Sequence, residues 1–393
     1  MTSRRDKYLI ALLLGLAACL TSMTVFVSLL SYDNSTQADF LRVLHHWETN
    51  GATYALWVQI ESHRMVLPRL ILLLDYALFD GNNTLIRFVV LGLQLTMASI
   101  VTHFIWREMW DRRVVGISLI AVIFSLALGP YYSIFTGQNH LWVTVVHSLA
   151  FFAILLTWLG LRTDHPNNRL IVAGAFVSLV ASLSALPGTL AWPGMMWLAI
   201  ARRSILAGGL TVATIITFVL LFRIDMAGSH SSSEVISLIT HPLHSIEILS
   251  KFIGITFGRL MFFEPLSDYA AAMSVVTGCL GTVIAGYYLV KPLFNSAEAK
   301  SLTGLAGGLL LLSLFWLAAA MAKHAQPGVL FDVPLDRFWA QSGWYWICLL
   351  MLIVVARAMP KVLNKILPII VSLFLLGMMP VAIVSALNIL RGS

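Results

Sequence analysis

The sequence predicts an all-α, polytopic membrane helical bundle of about eleven transmembrane helices, with amphipathic juxtamembrane helices on the outer side. Three observations carry that expectation. Only 11% of the 393 residues are charged and the mean hydropathy is +0.86, whereas soluble domains carry roughly 25% charged residues, so most of the surface must face lipid. Apolar runs recur at about the 20-residue length that a helix needs to cross the hydrocarbon core. The basic residues fall in short clusters between those runs, where the positive-inside rule places them.

The first run, Tyr8 to Leu30, follows Arg4, Arg5 and Lys7 and reads as a retained signal anchor, because it is longer than a signal-peptide core and no A-x-A site follows. The next are Thr84 to Trp106, Val114 to Gly129, Leu141 to Leu161 and Leu170 to Leu186. A short run covers Thr189 to Ala201, and Ile205 to Phe222 follows. The last four are Ala270 to Val290, Leu302 to Ala322, Trp339 to Ala356 and Ile366 to Leu387. With the N-terminus in the cytoplasm, the inner loops hold Arg107, Arg112 and Arg113, then Arg162 and Arg169, Arg202 and Arg203, Lys291 and Lys300, and Arg357, Lys361 and Lys365. With the N-terminal three that makes 15 of the 25 Lys and Arg. No extramembrane domain, internal repeat or low-complexity linker appears, so residues 1–393 read as one membrane domain. Cys19, Cys279 and Cys348 all lie in apolar runs and read as small buried hydrophobes. The net charge of +7 is not interleaved with aromatics and points away from nucleic acid.

The polar residues concentrate on the outer side. The stretch 31–83 holds Asp33, Asp39, Glu48, Glu61, Asp75 and Asp80, six of the 18 acids, together with Arg42, His45, His46, His63, Arg64 and Arg69. Long structured loops are usually functional; the bland alternative is a solvated linker. Phe40 to Ile60 and Met65 to Phe79 read as helices lying at the outer interface, and so does Ile246 to Phe263, with Lys251 and Arg259 inside it. Arg69 and Asp75 are six apart and do not face each other on a helix.

Arg64 and Arg69 have the chemistry to grip a phosphate bidentately, and Asp33 or Glu61 that of a general base. Snorkelling interfacial arginines are the competing reading. His45 and His46 are adjacent, point different ways and lack a spaced third ligand, so no metal site is expected; His63 reads as a hydrogen-bonding group. Gln138 and Asn139, between Tyr131-Tyr132 and Trp142, suit a sugar face and read equally as a helix cap beside an aromatic belt. Leu186 to Gly194, with two prolines and two glycines, reads as broken backbone in a cavity wall. Arg337, in Asp336-Arg337-Phe338, is a second candidate phosphate ligand or half of a surface pair. No Walker, Rossmann, nucleophile-elbow or HExxH pattern is present.

Glu61-Ser62-His63-Arg64-Met65-Val66-Leu67-Pro68-Arg69 resembles the "EHR-hydrophobic-PR" segment of a bacterial group of multi-spanning membrane proteins. Gln138-Asn139 before Trp142, Ser184 to Pro193 followed by Arg202-Arg203, and Asp336-Arg337-Phe338 resemble the same group in the same order. The resemblance is to GT-C glycosyltransferases, including the phage-type glucosyltransferases that modify the O-antigen of lipopolysaccharide. It implies a polyprenyl-phosphate sugar donor, a glycan or lipid-linked acceptor, and residues 31–83 as a large first periplasmic loop of a bacterial inner-membrane protein. It also implies an acidic base just past the first helix, where Asp33 stands, with Asn34 in place of the second acid that many members carry; Glu61 is the other candidate. His63, Arg64, Arg69, Gln138, Asn139 and Arg337 are then substrate-binding residues. The outer clusters supply base and cations without a metal, although some members use a divalent cation. The competing expectation is a transporter or flippase of a lipid-linked sugar, against which the nearly charge-free spans count.

Overall fold

The computed structural model describes residues 4–30, 38–58, 65–128, 138–223, 242–261, 268–324, 339–355 and 361–392. They are helical, with no strand among the described residues. In chain order the helices are α1 (Arg4–Leu30), α2 (Ala38–Asn50), α3 (Ala52–Trp57), α4 (Val66–Phe79), α5 (Thr84–Glu108), α6 (Arg113–Leu128), α7 (Gln138–Leu161), α8 (Asn168–Ser184), α9 (Ala191–Ala201), α10 (Ile205–Arg223), α11 (Pro242–Met261), α12 (Asp268–Phe294), α13 (Ser296–Lys300), α14 (Leu302–His324), α15 (Trp339–Val355) and α16 (Lys361–Gly392).

Helix boundaries follow local chemistry. Asn167 starts α8 by accepting from the Arg169 and Leu170 amides at 3.1 and 3.4 Å, and Asn295 starts α13 through the Ala297 amide at 3.2 Å. Ser301 accepts from the Thr303 amide at 3.3 Å and starts α14. Such caps satisfy amides that the first turn leaves without partners.

Among the described residues six helices are long and apolar enough to cross a membrane: α1, α5, α7, α12, α14 and α16. The apolar parts of α8, α10 and α15 are shorter. The chain is therefore an integral membrane helical bundle. Each predicted run falls on a helix, but α9 has only 11 residues, about 17 Å of rise, too short to cross the ~30 Å core alone. The expected break between α8 and α9 is present as a 3-10 turn over Leu186–Leu190, with Gly188 against the Ala181 carbonyl.

The core runs through the bundle from Leu13 of α1 to Ala382 of α16. Its interior is densely aromatic, with Trp158, Trp344, Tyr345, Phe151 and Phe252 all fully enclosed. Cys348 is buried as expected, but Cys19 and Cys279 are exposed, with the Cys279 sulfur 3.2 Å from the Ser250 hydroxyl at the edge of the α11–α12 contact.

One expectation is corrected. Residues 246–263 were expected to form a helix lying at the outer interface. Instead α11 is packed into the bundle, with Ile248, Phe252 and Ile253 at 0% exposure, against α12, α14 and α15. The physical reason is small-residue packing. A Cβ on Gly254 would stand 1.9 Å from the Ser274 carbonyl oxygen, and one on Gly278 would stand 2.0 Å from that of Ser250. The two backbones touch, as small residues permit between helices in lipid. The pairing is antiparallel, so α11 ends where α12 begins. Gly254→Ala is expected to force the pair apart and destabilise the fold by roughly 1–3 kcal/mol, read as a lower thermal midpoint in detergent, while Gly209→Ala, which meets open space on α10, leaves it within error.

Four of the predicted inner loops, those around Arg107, Arg162, Arg202 and Lys300, share one end of the bundle, and the loop with Arg357 lies outside the described residues. Glu108, at the end of α5, accepts from the Leu302 amide at 3.1 and 3.2 Å and pairs with Arg162 at 3.4 Å. Trp158 donates to the Ser301 carbonyl at 3.1 Å. Arg202 donates to the carbonyls of Leu161, Ser296 and Thr163 at 2.9, 3.1 and 3.3 Å. Lys300 pairs with Asp164 and, through that hydrogen bond and its charge, holds the Asp164 carboxyl below its ordinary range. This is the basic end.

Candidate functional site at the opposite end of the bundle

At the other end, a second core cluster joins Ile86, Val90 and Leu91 of α5, Leu128 of α6, and Leu141 and Val145 of α7. Leu67, Ile71 and Leu72 of α4 and Val25 of α1 pack on it. The described part of the first predicted outer stretch is a series of short helices, of which α4 packs on the bundle and α2 and α3 pack on one another and on α4. Gly51, at φ +86°, separates α2 from α3, and α4 follows. The first of the two helices expected here, Phe40 to Ile60, is divided at Gly51 into α2 and α3, and the second, Met65 to Phe79, is α4.

Arg69 is 2% exposed and Asp75 is 1% exposed. They do not face each other, as their spacing requires. Arg69 donates to the Ala55 carbonyl at 3.3 Å and to that of Val58, clasping the end of α3. Asp75 accepts from the Asn83 and Leu85 amides at 2.9 and 2.6 Å, capping α5 from the neighbouring helix. Arg87 closes the same turn, donating to the carbonyls of Asn82 and Asn83 at 2.8 and 3.3 Å. The turn needs left-handed backbone at Asp80 (φ 52°), Gly81 (φ 70°) and Asn83 (φ 57°), residue types that tolerate it. Met65, which opens α4, is also left-handed at φ 47°. For a long side chain that is strained, and such strain collects at functional sites; Met65 directly follows Glu61-Ser62-His63-Arg64.

Of the predicted site residues, Asp33, Glu61, His63, Arg64 and Arg337 lie outside the described residues. Gln138 and Asn139 form the first turn of α7. Arg69 is the one whose side chain is placed, as a clasp on backbone carbonyls. The helix ends next to these residues in sequence do meet. The end of α1, the start of α4 and the start of α7 join the second cluster. α15 joins them near its start, where Trp344 donates to Gln94 of α5 at 3.1 Å and Gly343 lies against the Leu126 carbonyl of α6.

Below this meeting point lies a buried polar layer that the sequence reading did not single out. Gln94, His147, Gln341 and Ser342 are at most 2% exposed. The His147 ring stands edge-on to Trp316 at 5.5 Å and tilted to Trp344 at 6.2 Å. Ser342 bonds to Thr256 at 2.6 Å and donates to the Ile253 carbonyl at 2.8 Å. Among the described residues, His147 Nδ1, Ser148 Oγ, Ser125 Oγ and Gln341 Oε1 are enclosed without a hydrogen-bond partner. Each such atom costs about 1–3 kcal/mol, so packing alone does not account for the layer. His147 stands nine residues into α7 and Gln94 ten into α5, both about 14–15 Å from the helix start. The available signal was a lone histidine and a lone glutamine in otherwise apolar runs. Amides, hydroxyls and tryptophan faces are the groups that recognise a sugar ring. No three His, Cys, Asp or Glu among the described residues are placed to share a metal ion.

Compared with protein-family models, curated proteins and solved structures, the chain matches none.

Asp75→Ala removes both caps of the α4–α5 turn and is expected to cost roughly 2 kcal/mol, seen as a lower thermal midpoint. Asp75→Asn, which keeps one acceptor oxygen, should recover part of the loss.

Proposed function

We propose that the chain is a GT-C-type membrane glycosyltransferase of the bacterial inner membrane. It moves a sugar, glucose by the resemblance, from a polyprenyl-phosphate carrier to a lipid-linked glycan or O-antigen on the periplasmic side. The observation that carries this reading is the meeting of α1, α4, α7 and α15 at one end of the bundle. Asp33, Glu61 to Arg64, Gln138-Asn139 and Arg337 all stand next to those helix ends in sequence. Transfer requires a base for the acceptor hydroxyl and cationic help for the leaving phosphate. Asp33 or Glu61 supplies the first in this reading, and Arg64 and Arg337 the second. Arg69, tied to the end of α3, holds the frame beside Arg64 in addition to any contact with phosphate. The polar layer of Gln94, His147 and Gln341 then forms the floor under the sugar.

The same layer favours a second reading, a transporter or flippase of a lipid-linked sugar, because buried polar groups between helices also line substrate pathways. The two readings part on the acids. With membrane insertion confirmed, Asp33→Asn or Glu61→Gln should lower glycan modification by about a hundredfold or more, the usual contribution of a general base. Full activity in both variants would sink the glycosyltransferase reading and favour transport.

The orientation has its own check. Asn50 is exposed at the end of α2. Asn50→Cys, in a background where Cys19 and Cys279 are replaced by Ser, should react with an impermeant thiol reagent in spheroplasts. Labelling only after permeabilisation would place this end of the bundle in the cytoplasm.

A further inference from the structure

The basic end carries a second feature that the proposed chemistry leaves unused. A groove of about 540 Å³ runs along the outside of the bundle between α5 and α7. It is walled by Leu95, Ser99, Ile100 and Phe104 on one side and by Leu155 and Leu159 on the other. Thr96, Ser99, His103 and Arg107 are all exposed, and their spacing of three and four residues puts them on one stripe of α5. The stripe passes from apolar and small residues to His103, which also lines the groove, and then to Arg107. On α7 the same progression runs from Leu155 through Leu159 to Arg162, whose guanidinium lies 5.0 Å over the Trp158 ring and 5.7 Å from that of Phe104. The groove is thus apolar along its length and cationic at the foot. Arg162 shares its charge with Glu108, whereas Arg107 makes no ion pair among the described residues.

We propose that this groove binds one anionic phospholipid from the leaflet at the basic end. An acyl chain lies between α5 and α7, and the phosphate faces Arg107 and Arg162. Length and charge together select this occupant. From Leu95 to Arg107 the helix rises about 18 Å, close to half of the ~30 Å hydrocarbon core, so the groove matches one leaflet. A polyprenyl chain is much longer than one leaflet and would run past Leu95, where the groove ends. A zwitterionic lipid would cancel the attraction that Arg107 offers, worth about fivefold in binding for a basic residue at a membrane surface. The inference does not depend on the reaction proposed above.

The test uses the full chain purified in mild detergent. Native mass spectrometry would follow incubation with equal amounts of phosphatidylglycerol and phosphatidylcholine. One retained phosphatidylglycerol per chain is expected, about fivefold or more over phosphatidylcholine. Arg107→Ala should cut that retention about fivefold, and Arg169→Ala, an exposed arginine at the same end on α8, should leave it unchanged. Ser99→Trp fills the groove and should remove retention of both lipids. Thr96→Trp, at an exposed position on the same wall, serves if the first variant does not fold. Equal retention of the two lipids overturns the proposal, as does an equal effect of Arg107→Ala and Arg169→Ala. So does survival of the adduct in the filled groove, or displacement of phosphatidylglycerol by an equal amount of polyprenyl phosphate.

Discussion

Glu108 ends α5, and both of its carboxylate oxygens accept the amide of Leu302 that opens α14, 194 residues later in the chain. A helix start inside or near a bilayer leaves amides that water does not reach, so a carboxylate there does the work of a cap and a charge partner at once. Around it Arg162 ties in α7, Trp158 holds the Ser301 carbonyl, and Arg202 spans α7 and the start of α13. This knot fixes the axial register of α5, α7, α9 and α14. Helices rise by a constant 1.5 Å per residue, so register set at one end is register set at the other. The levelling of Gln94, His147 and Trp344 into one buried layer is the far-end expression of that constraint.

Charge and small residues divide the remaining labour. The six helices long and apolar enough to cross a membrane carry few charges, and those present sit near the ends. Where two helices must come closest, α11 and α12 place Gly254 and Gly278 against backbone, trading side-chain bulk for contact area, as packing in lipid rewards. The interior is filled by large aromatic rings. Several of their N–H groups reach partners: Trp158 donates to the Ser301 carbonyl, Trp344 to Gln94 and Trp346 to the Ile253 carbonyl, at 3.1, 3.1 and 2.7 Å.

The helices were legible in the sequence because apolar runs of the right length have few other outcomes in a membrane protein. The sharing of one end by the loops around Arg107, Arg162, Arg202 and Lys300 was legible through their charge. α11 was misread because Glu247, Lys251 and Arg259 lower its apolar character. Lys251 pairs with Glu247 one turn away, which keeps that charge on one face and leaves Ile248, Phe252 and Ile253 to the core. The role of Arg69 was not legible, since its carbonyl partners lie 11 and 14 residues earlier and only the folded turn around Gly51 brings them near. His147 was missed for a different reason. One histidine in a run of Leu, Val and Phe makes no pattern, and its meaning comes from Trp316 and Trp344, which are distant in sequence.

The left-handed residues that bracket α4, Met65 before it and Asp80 after it, have a consequence for how this part of the chain can vary over time. Arg69 reaches back to α3 and Asp75 reaches forward to α5, so α4 is read from both sides. One residue inserted between them would turn one contact by about 100° relative to the other, and a deletion would do the same in reverse. Neither end can swivel to compensate, because each is already committed to a conformation with little room around it. The segment between Arg69 and Asp75 is thus a spacer of fixed length. Substitutions on its exposed face at Leu70 and Leu74 leave both contacts in place, whereas an insertion or deletion within it breaks one of them.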